Sequence, residues 1–154
     1  EIYTLSLHDA LPISIHPPFP DDVRERVARV LPDFVSPVNP LDMSAQIIAR
    51  PETLGEVLDG AMDESRYDAA LVQLTTNADP AAELTAKVIA ATRQRVSIPL
   101  YVARFGAGSL APAGMSAYAA AGIPVLDAPD RTMAALAAVI SAAGKLREVP
   151  WTSH

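Results

Sequence analysis

The stretch Tyr67-Asp-Ala-Ala-Leu-Val-Gln-Leu-Thr-Thr-Asn-Ala-Asp-Pro80 reads as a short apolar strand, a polar turn and the beginning of a helix. The apolar run is too short for a buried helix and is bounded by turn residues, the form a strand takes when the sheet is covered. Asp79-Pro80 then offers a capping side chain followed by proline at the first helical position. That predicts a helix to about Arg95, with Leu84, Val88, Ile89 and Thr92 inward. The unit repeats downstream. Ile98-Pro-Leu-Tyr-Val-Ala103 is a second strand, and Phe105-Gly-Ala-Gly-Ser-Leu110 is a glycine-containing loop. Pro112 opens a helix that Gly122 closes as the residue just past its end. Ile123-Pro-Val-Leu126 is a third strand, and Pro129 to about Arg147 a final helix. Two strands start with Ile-Pro, a position where the missing proline N–H costs no important ladder bond. Alternating strands and helices with short connections predict right-handed βαβ units and a parallel sheet, an α/β fold.

Upstream, Asp21 or Asp22 is expected to cap a helix running to about Leu31, with Val23, Val27, Val30 and Leu31 on its apolar face. Pro32 stops it. A turn-rich segment, Ser36-Pro-Val-Asn-Pro-Leu-Asp42, leads to a second helix from about Pro51 that carries Leu54, Val57, Leu58 and Met62 on one side. Met43, Met62, Met115 and Met133 fall at core-like positions. Three strands fall short of the roughly four to six of an ordinary open sheet, so further strands are expected before the first one visible.

Composition narrows the function classes. The 154 residues carry a net charge of −6, with no basic stripe, which argues against nucleic acid or an anionic membrane surface as partner. No apolar run reaches the length of a membrane span. The absence of cysteine removes disulfides, thiol catalysis and cysteine-ligated metal. The cytoplasm is the default location. Residues 1–13, EIYTLSLHDALPI, match one reading frame of a common sequencing-adapter oligonucleotide, so the biological chain is expected to begin near Ser14, with its upstream sequence replaced. Residues 14–147 then form the domain, and Glu148 to His154 read as the start of an interdomain linker.

Five stretches in order carry a family likeness: Asn39 to Asp42, Asp68 to Leu74, Ile98 to Tyr101, Gly122 to Leu126 and Pro129 to Met133. Together they resemble the NDP-forming acyl-CoA synthetases, the ADP-forming acetate–CoA ligase family, over about Phe19 to Arg147. The resemblance implies the later part of a flavodoxin-like, succinyl-CoA-ligase-type three-layer domain whose first strands are missing. It also implies a parent enzyme that interconverts acyl-CoA, phosphate and NDP with carboxylate, CoA and NTP, through an acyl phosphate and a phosphohistidine. CoA, ATP or ADP, and Mg would belong to the parent, and the chain's partners would be its CoA-binding and ATP-grasp modules. Four departures stand out: Leu41 for Val, Ile98 for Lys, Leu126 for an aromatic, and Asp130 for Glu. The family's phosphohistidine lies in a Ser-His-Thr-Gly segment upstream, and His8, His16 and His154 have no such context, so this chain alone is expected to be inactive. A similar region also occurs fused to protein lysine acetyltransferases, where it resembles a sensor. A solitary α/β binding module is the third reading.

The candidate site residues follow from the sheet. Ligands of open α/β sheets bind at the carboxyl ends of the strands, which here carry Thr75, Thr76 and Asn77 after the first strand and Arg104 to Ser109 after the second. Gly106 and Gly108 would let backbone N–H groups approach a phosphate ahead of a helix N-terminus, or simply form a flexible loop. Arg104 would neutralise phosphate or stand in solvent. Asn39 and Asp42 would shape the same edge, although turn chemistry alone accounts for both. Asp127 and Asp130 are expected to cap the last helix.

Overall fold

The computed structural model describes residues 18–43, 50–62, 67, 69–126, 131–132 and 134–139. Its elements are α1 (Asp21–Ala28), α2 (Pro51–Ala61), β1 (Ala70–Leu74), α3 (Ala81–Arg93), β2 (Leu100–Arg104), a 3-10 turn (Gly108–Leu110), α4 (Pro112–Ala120) and β3 (Val125–Leu126). Residues 131–132 and 134–139 are also helical, within the last helix expected from the sequence. The expectations for residues 1–17, Asp127, Asp130, Met133 and 140–154 fall outside the described residues.

The three strands form one parallel sheet in the order β1-β2-β3. Ala70 to Leu74 face Leu100 to Arg104 in register, and Val102 and Ala103 face Val125 and Leu126. The two Ile-Pro prolines sit just before the strands, and their carbonyls extend the ladder. Pro99 O accepts from Ala70 N at 2.9 Å, and Pro124 O from Val102 N at 3.0 Å. Arg104, assigned to the loop by sequence, is instead the last residue of β2 and pairs with Leu74.

Alternate strand positions build the core. Val72, Leu100 and Val102 join Leu54 and Leu58 of α2, Ala86 and Ile89 of α3, Tyr118 of α4 and Ile123 in one buried cluster. A second cluster of Val23, Val27, Leu31 and Val57 fastens α1 to α2. Met43, Met62 and Met115 pack on the first cluster, as their sequence positions suggested. The inward face of α3 differs from expectation. Leu84 is 51% exposed, and the buried stripe is Ala82, Thr85, Ala86, Ile89 and Thr92. The cause is the neighbour: a Cβ on Gly114 of α4 would lie 3.1 Å from the Ala82 carbonyl carbon and oxygen, an approach that only small residues permit.

Helix ends also diverge in detail. Pro20, not an aspartate, occupies the N-cap of α1. Asp21 and Asp22 lie in its first turn, where they favour the positive end of the helix and pair with Arg24 at 3.2 Å and Arg26 at 3.0 Å. The helix stops at Ala28, and the Val30 and Leu31 N–H groups both turn back to Val27 O. The end of α4 follows expectation fully. Gly122 has φ +64°, its N–H donates to Ala119 O, and Ile123 N donates to Tyr118 O. That pair of bonds, with Ile123 and Tyr118 in the same cluster, is a Schellman closure. Among the described residues no helix is long and apolar enough to cross a membrane.

Candidate functional site

Because β1 and β2 are parallel and in register, the Leu74 and Arg104 ends lie side by side and their loops leave the sheet together. Cross-bonds tie the loops. Phe105 N donates to Leu74 O at 3.0 Å, Thr76 Oγ1 donates to Phe105 O at 3.0 Å, and Asp79 N donates to Leu110 O at 3.1 Å. Gly106 is needed here for two reasons. Its φ is +93°, and a Cβ would lie 2.6 Å from Thr76 Oγ1. Gly108 has ordinary space beside Met115 and forms the 3-10 turn through Ala111 N to its carbonyl.

Asp79 does something the sequence did not indicate. The N-cap of α3 is Pro80, with no side-chain cap. The Asp79 carboxylate instead crosses to α4, accepting from Ala113 N at 2.7 Å and Gly114 N at 3.3 Å. The first turn of α4 is thereby accounted for: Pro112 has no N–H, Ala113 and Gly114 donate to Asp79, and Met115 donates to Ala111 O. Replacing Asp79 with alanine should cost about 1–2 kcal/mol, the usual value of a cap with a favourable helix charge. Urea unfolding of D79A against the parent chain measures this. Asp79→Asn should retain part of the loss, because an amide oxygen still accepts while the charge is gone.

Arg104 shares the β2 face of Leu100 and Val102, so its side chain enters the helix-covered side of the sheet. It is only 3% exposed. One Nη2 donates to the backbone oxygen of Asn77 and, at 3.4 Å, to its Oδ1; Nη1 reaches Ala107 O at 3.5 Å. All of these acceptors are neutral, and no carboxylate pairs with Arg104 among the described residues. Tyr118, 2% exposed, lies in the field of this guanidinium, and its hydroxyl has no hydrogen-bond partner among the described residues. Burial pushes the phenol well above its ordinary value of 10.0, and the Arg104 charge opposes that only partly.

The sign of the linkage follows. Folded Tyr118 keeps its proton while unfolded Tyr118 starts to lose it near pH 10, so its contribution to stability is complete below that pH and shrinks above it. Unfolding free energy should therefore fall above pH 10 by at most about 1.4 kcal/mol per pH unit from this group. Tyr118→Phe should abolish that part of the alkaline loss; an unchanged slope in urea titrations from pH 9 to 11 would refute it.

Of the residues singled out by sequence, the fold gathers Thr75, Thr76, Asn77, Arg104, Gly106 and Gly108 at one edge. Leu41 and Met43, on either side of Asp42, pack on the α1–α2 cluster, and Asp42 lines an open depression with Phe34, Val35, Ser36, Val38 and Pro40. The segment that Asp42 would cap, residues 44–49, lies outside the described residues. Asp79 and Tyr118 were missed: Asp-Pro masked the first, and a tyrosine in an alanine-rich helix gave no signal for the second. Among the described residues, no three His, Asp or Glu side chains converge as a metal site. In comparisons with known proteins, no family model, curated protein or solved structure matches the chain.

Proposed function

We propose that this chain is the flavodoxin-like, succinyl-CoA-ligase-type domain of an NDP-forming acyl-CoA synthetase. Three parallel strands in sequential order, with a crossover helix after each of the first two, support that reading, and so do the five ordered sequence stretches. The observation that carries it furthest is the Arg104 edge: a buried cation, faced by neutral oxygens, at the carboxyl ends of adjacent parallel strands. In the proposed parent, acyl-CoA reacts with phosphate to give acyl phosphate and CoA, and the phosphoryl group passes to NDP by way of a histidine. This chain supplies the scaffold and edge, not the nucleophile. In this reading the nucleotide, Mg and CoA sites of the parent belong to its partner modules.

The test is to sequence the source locus outward from the codons for Ser14 and His154, then assay the complete gene product. A CoA-binding domain and Ser-His-Thr-Gly upstream, ATP-grasp downstream, and phosphate-dependent ATP formation from acyl-CoA and ADP are the expected results. A start codon directly before Ser14, or an acetyltransferase domain in place of ATP-grasp, would overturn the ligase reading.

A further inference from the structure

We propose that Asp59–Gly60 is a site of self-modification, where the Gly60 amide nitrogen closes on the Asp59 carboxyl group to a succinimide that reopens to isoaspartate. Arg26 and Arg95 restrain it. This is the one Asp-Gly step in the chain, and Asn-Gly does not occur. Glycine matters at the second position because no Cβ shields the attacking nitrogen. The pair lies in the last turn of α2, which ends at Ala61. Both residues weaken that turn. Glycine is a poor helix former, and a carboxylate near the carboxyl end opposes the helix dipole. The turn has no basic residue of its own to offset that charge. Helix ends are also where local opening begins.

The compensation comes from the two flanking helices. Arg95, just past the end of α3, places Nη2 at 2.7 and 2.8 Å from the two Asp59 carboxylate oxygens. Arg95 is itself anchored, donating to Ala91 O at 3.1 Å and Thr92 Oγ1 at 3.3 Å. From α1, Arg26 Nε donates to Gly60 O at 3.2 Å. One arginine holds the carboxyl group and the other holds the glycine. While both hold, the helix directs the Gly60 N–H back along its axis and away from Asp59 Cγ. The Asp59 side chain is 46% exposed, so water reaches the carboxyl group.

Once the turn opens, Gly60 N attacks Asp59 Cγ. The C–N bond forms, the carboxyl C–OH bond breaks, and one water leaves with the amide proton. Water then adds to the ring. Cleavage at Cγ restores aspartate, whereas cleavage at the backbone carbonyl carbon leaves isoaspartate of unchanged mass, with the chain routed through Cβ and Cγ. The longer backbone cannot continue the helix, so the end of α2 comes away from both arginines. The reaction needs only this chain and water, so it stands apart from the ligase assay.

The experiment is incubation of the full chain in mildly acidic buffer below its Tm, and in parallel in urea, followed by peptide mapping that separates isoaspartate from aspartate. In urea, isoaspartate should form faster at Asp59 than at any other aspartate, and folding should slow it. In the folded chain, Arg95→Ala should raise the rate by up to about fivefold, the worth of an exposed ion pair. Arg26→Ala should raise it about twofold to fivefold, the worth of one hydrogen bond. Neither substitution should change the rate in urea. Gly60→Ala is the deciding variant because it should fold: its Cβ meets Val27 Cγ2 at 3.7 Å and Arg26 Cβ at 3.8 Å, ordinary contacts, and alanine favours the helix. It should bring Asp59 down to the level of the other aspartates. Equal rates in folded and urea-unfolded chain, unchanged rates in folded R26A and R95A, or an undiminished yield in G60A would each overturn the proposal.

Discussion

Ile89→Ala should remove about 3–4 kcal/mol of stability, in the upper part of the range for truncating a buried isoleucine. Ile89 is fully buried and belongs to the cluster that joins β1 and β2 to three helices. The cost of a cavity depends on whether its walls can collapse, and these walls are held apart. Helix α3 is flanked by α2 and α4, and Gly114 already bears on the Ala82 backbone. A domain of this size typically has about 5–15 kcal/mol in total, so urea unfolding should show a large drop in midpoint. Ile89→Val, which removes one methylene, should cost about 1 kcal/mol. Leu84→Ala is the control: half-exposed on the same helix, it should change stability by no more than about 0.5 kcal/mol. Comparable losses at 84 and 89 would mean that the helix is rotated from the orientation described.

That control marks where the sequence could and could not be read. Leu84, Val88, Ile89 and Thr92 have helical spacing, and periodicity alone makes Leu84 the natural core residue. The helix is turned by something periodicity does not contain, the close approach of α4 at Gly114. Burial therefore goes to Ala82, Thr85 and Ala86, which are small enough to permit it. The strands and their parallel order were legible because strand, crossover helix and strand leave little topological freedom. Gly122 was legible because only a left-handed residue could end α4 and release Ile123 into the core. The α1 cap was not, because aspartates favour the first turn nearly as well as the cap itself.

The site was half legible for a similar reason. Knowing that strand ends carry ligands was enough to select Thr75 to Asn77 and Arg104. What the sequence withheld was depth. Arg104 stands next to Phe105-Gly-Ala-Gly and looks like a loop residue, but register with Leu74 extends the strand by one position and puts the side chain on the face of Leu100 and Val102, where it is buried. Asp79 was read locally, as the cap of the helix that follows it. Its carboxylate serves a helix more than thirty residues away, a pairing only the tertiary fold reveals. Around Asn39 and Asp42, Leu41 and Met43 pack on the α1–α2 cluster, and Met43 also on the sheet cluster, burial that turn-forming residues do not announce.

Gly114 gives the other large effect, and the loss should rise steeply with side-chain size beyond alanine. An added Cβ would sit 3.1 Å from the Ala82 carbonyl group and 3.4 Å from Ala82 Cβ, against backbone that cannot rotate away. Gly114→Ala also gains about 1 kcal/mol of helix propensity, which offsets much of the crowding, so a net change within about 1 kcal/mol is expected. Gly114→Leu gains a similar propensity, but its extra carbons must part α3 from α4, and a net loss of about 3 kcal/mol is expected. The displacement also pulls the Gly114 N–H from Asp79 Oδ1. The leucine and D79A losses should therefore overlap: the double variant should lose less than the sum of the singles by about 0.5–1 kcal/mol. Ala82→Gly should rescue little, since the nearest obstacles are the Ala82 carbonyl atoms and not its side chain. Strictly additive losses, or full rescue by A82G, would show that α4 reaches α3 through side chains instead of through backbone.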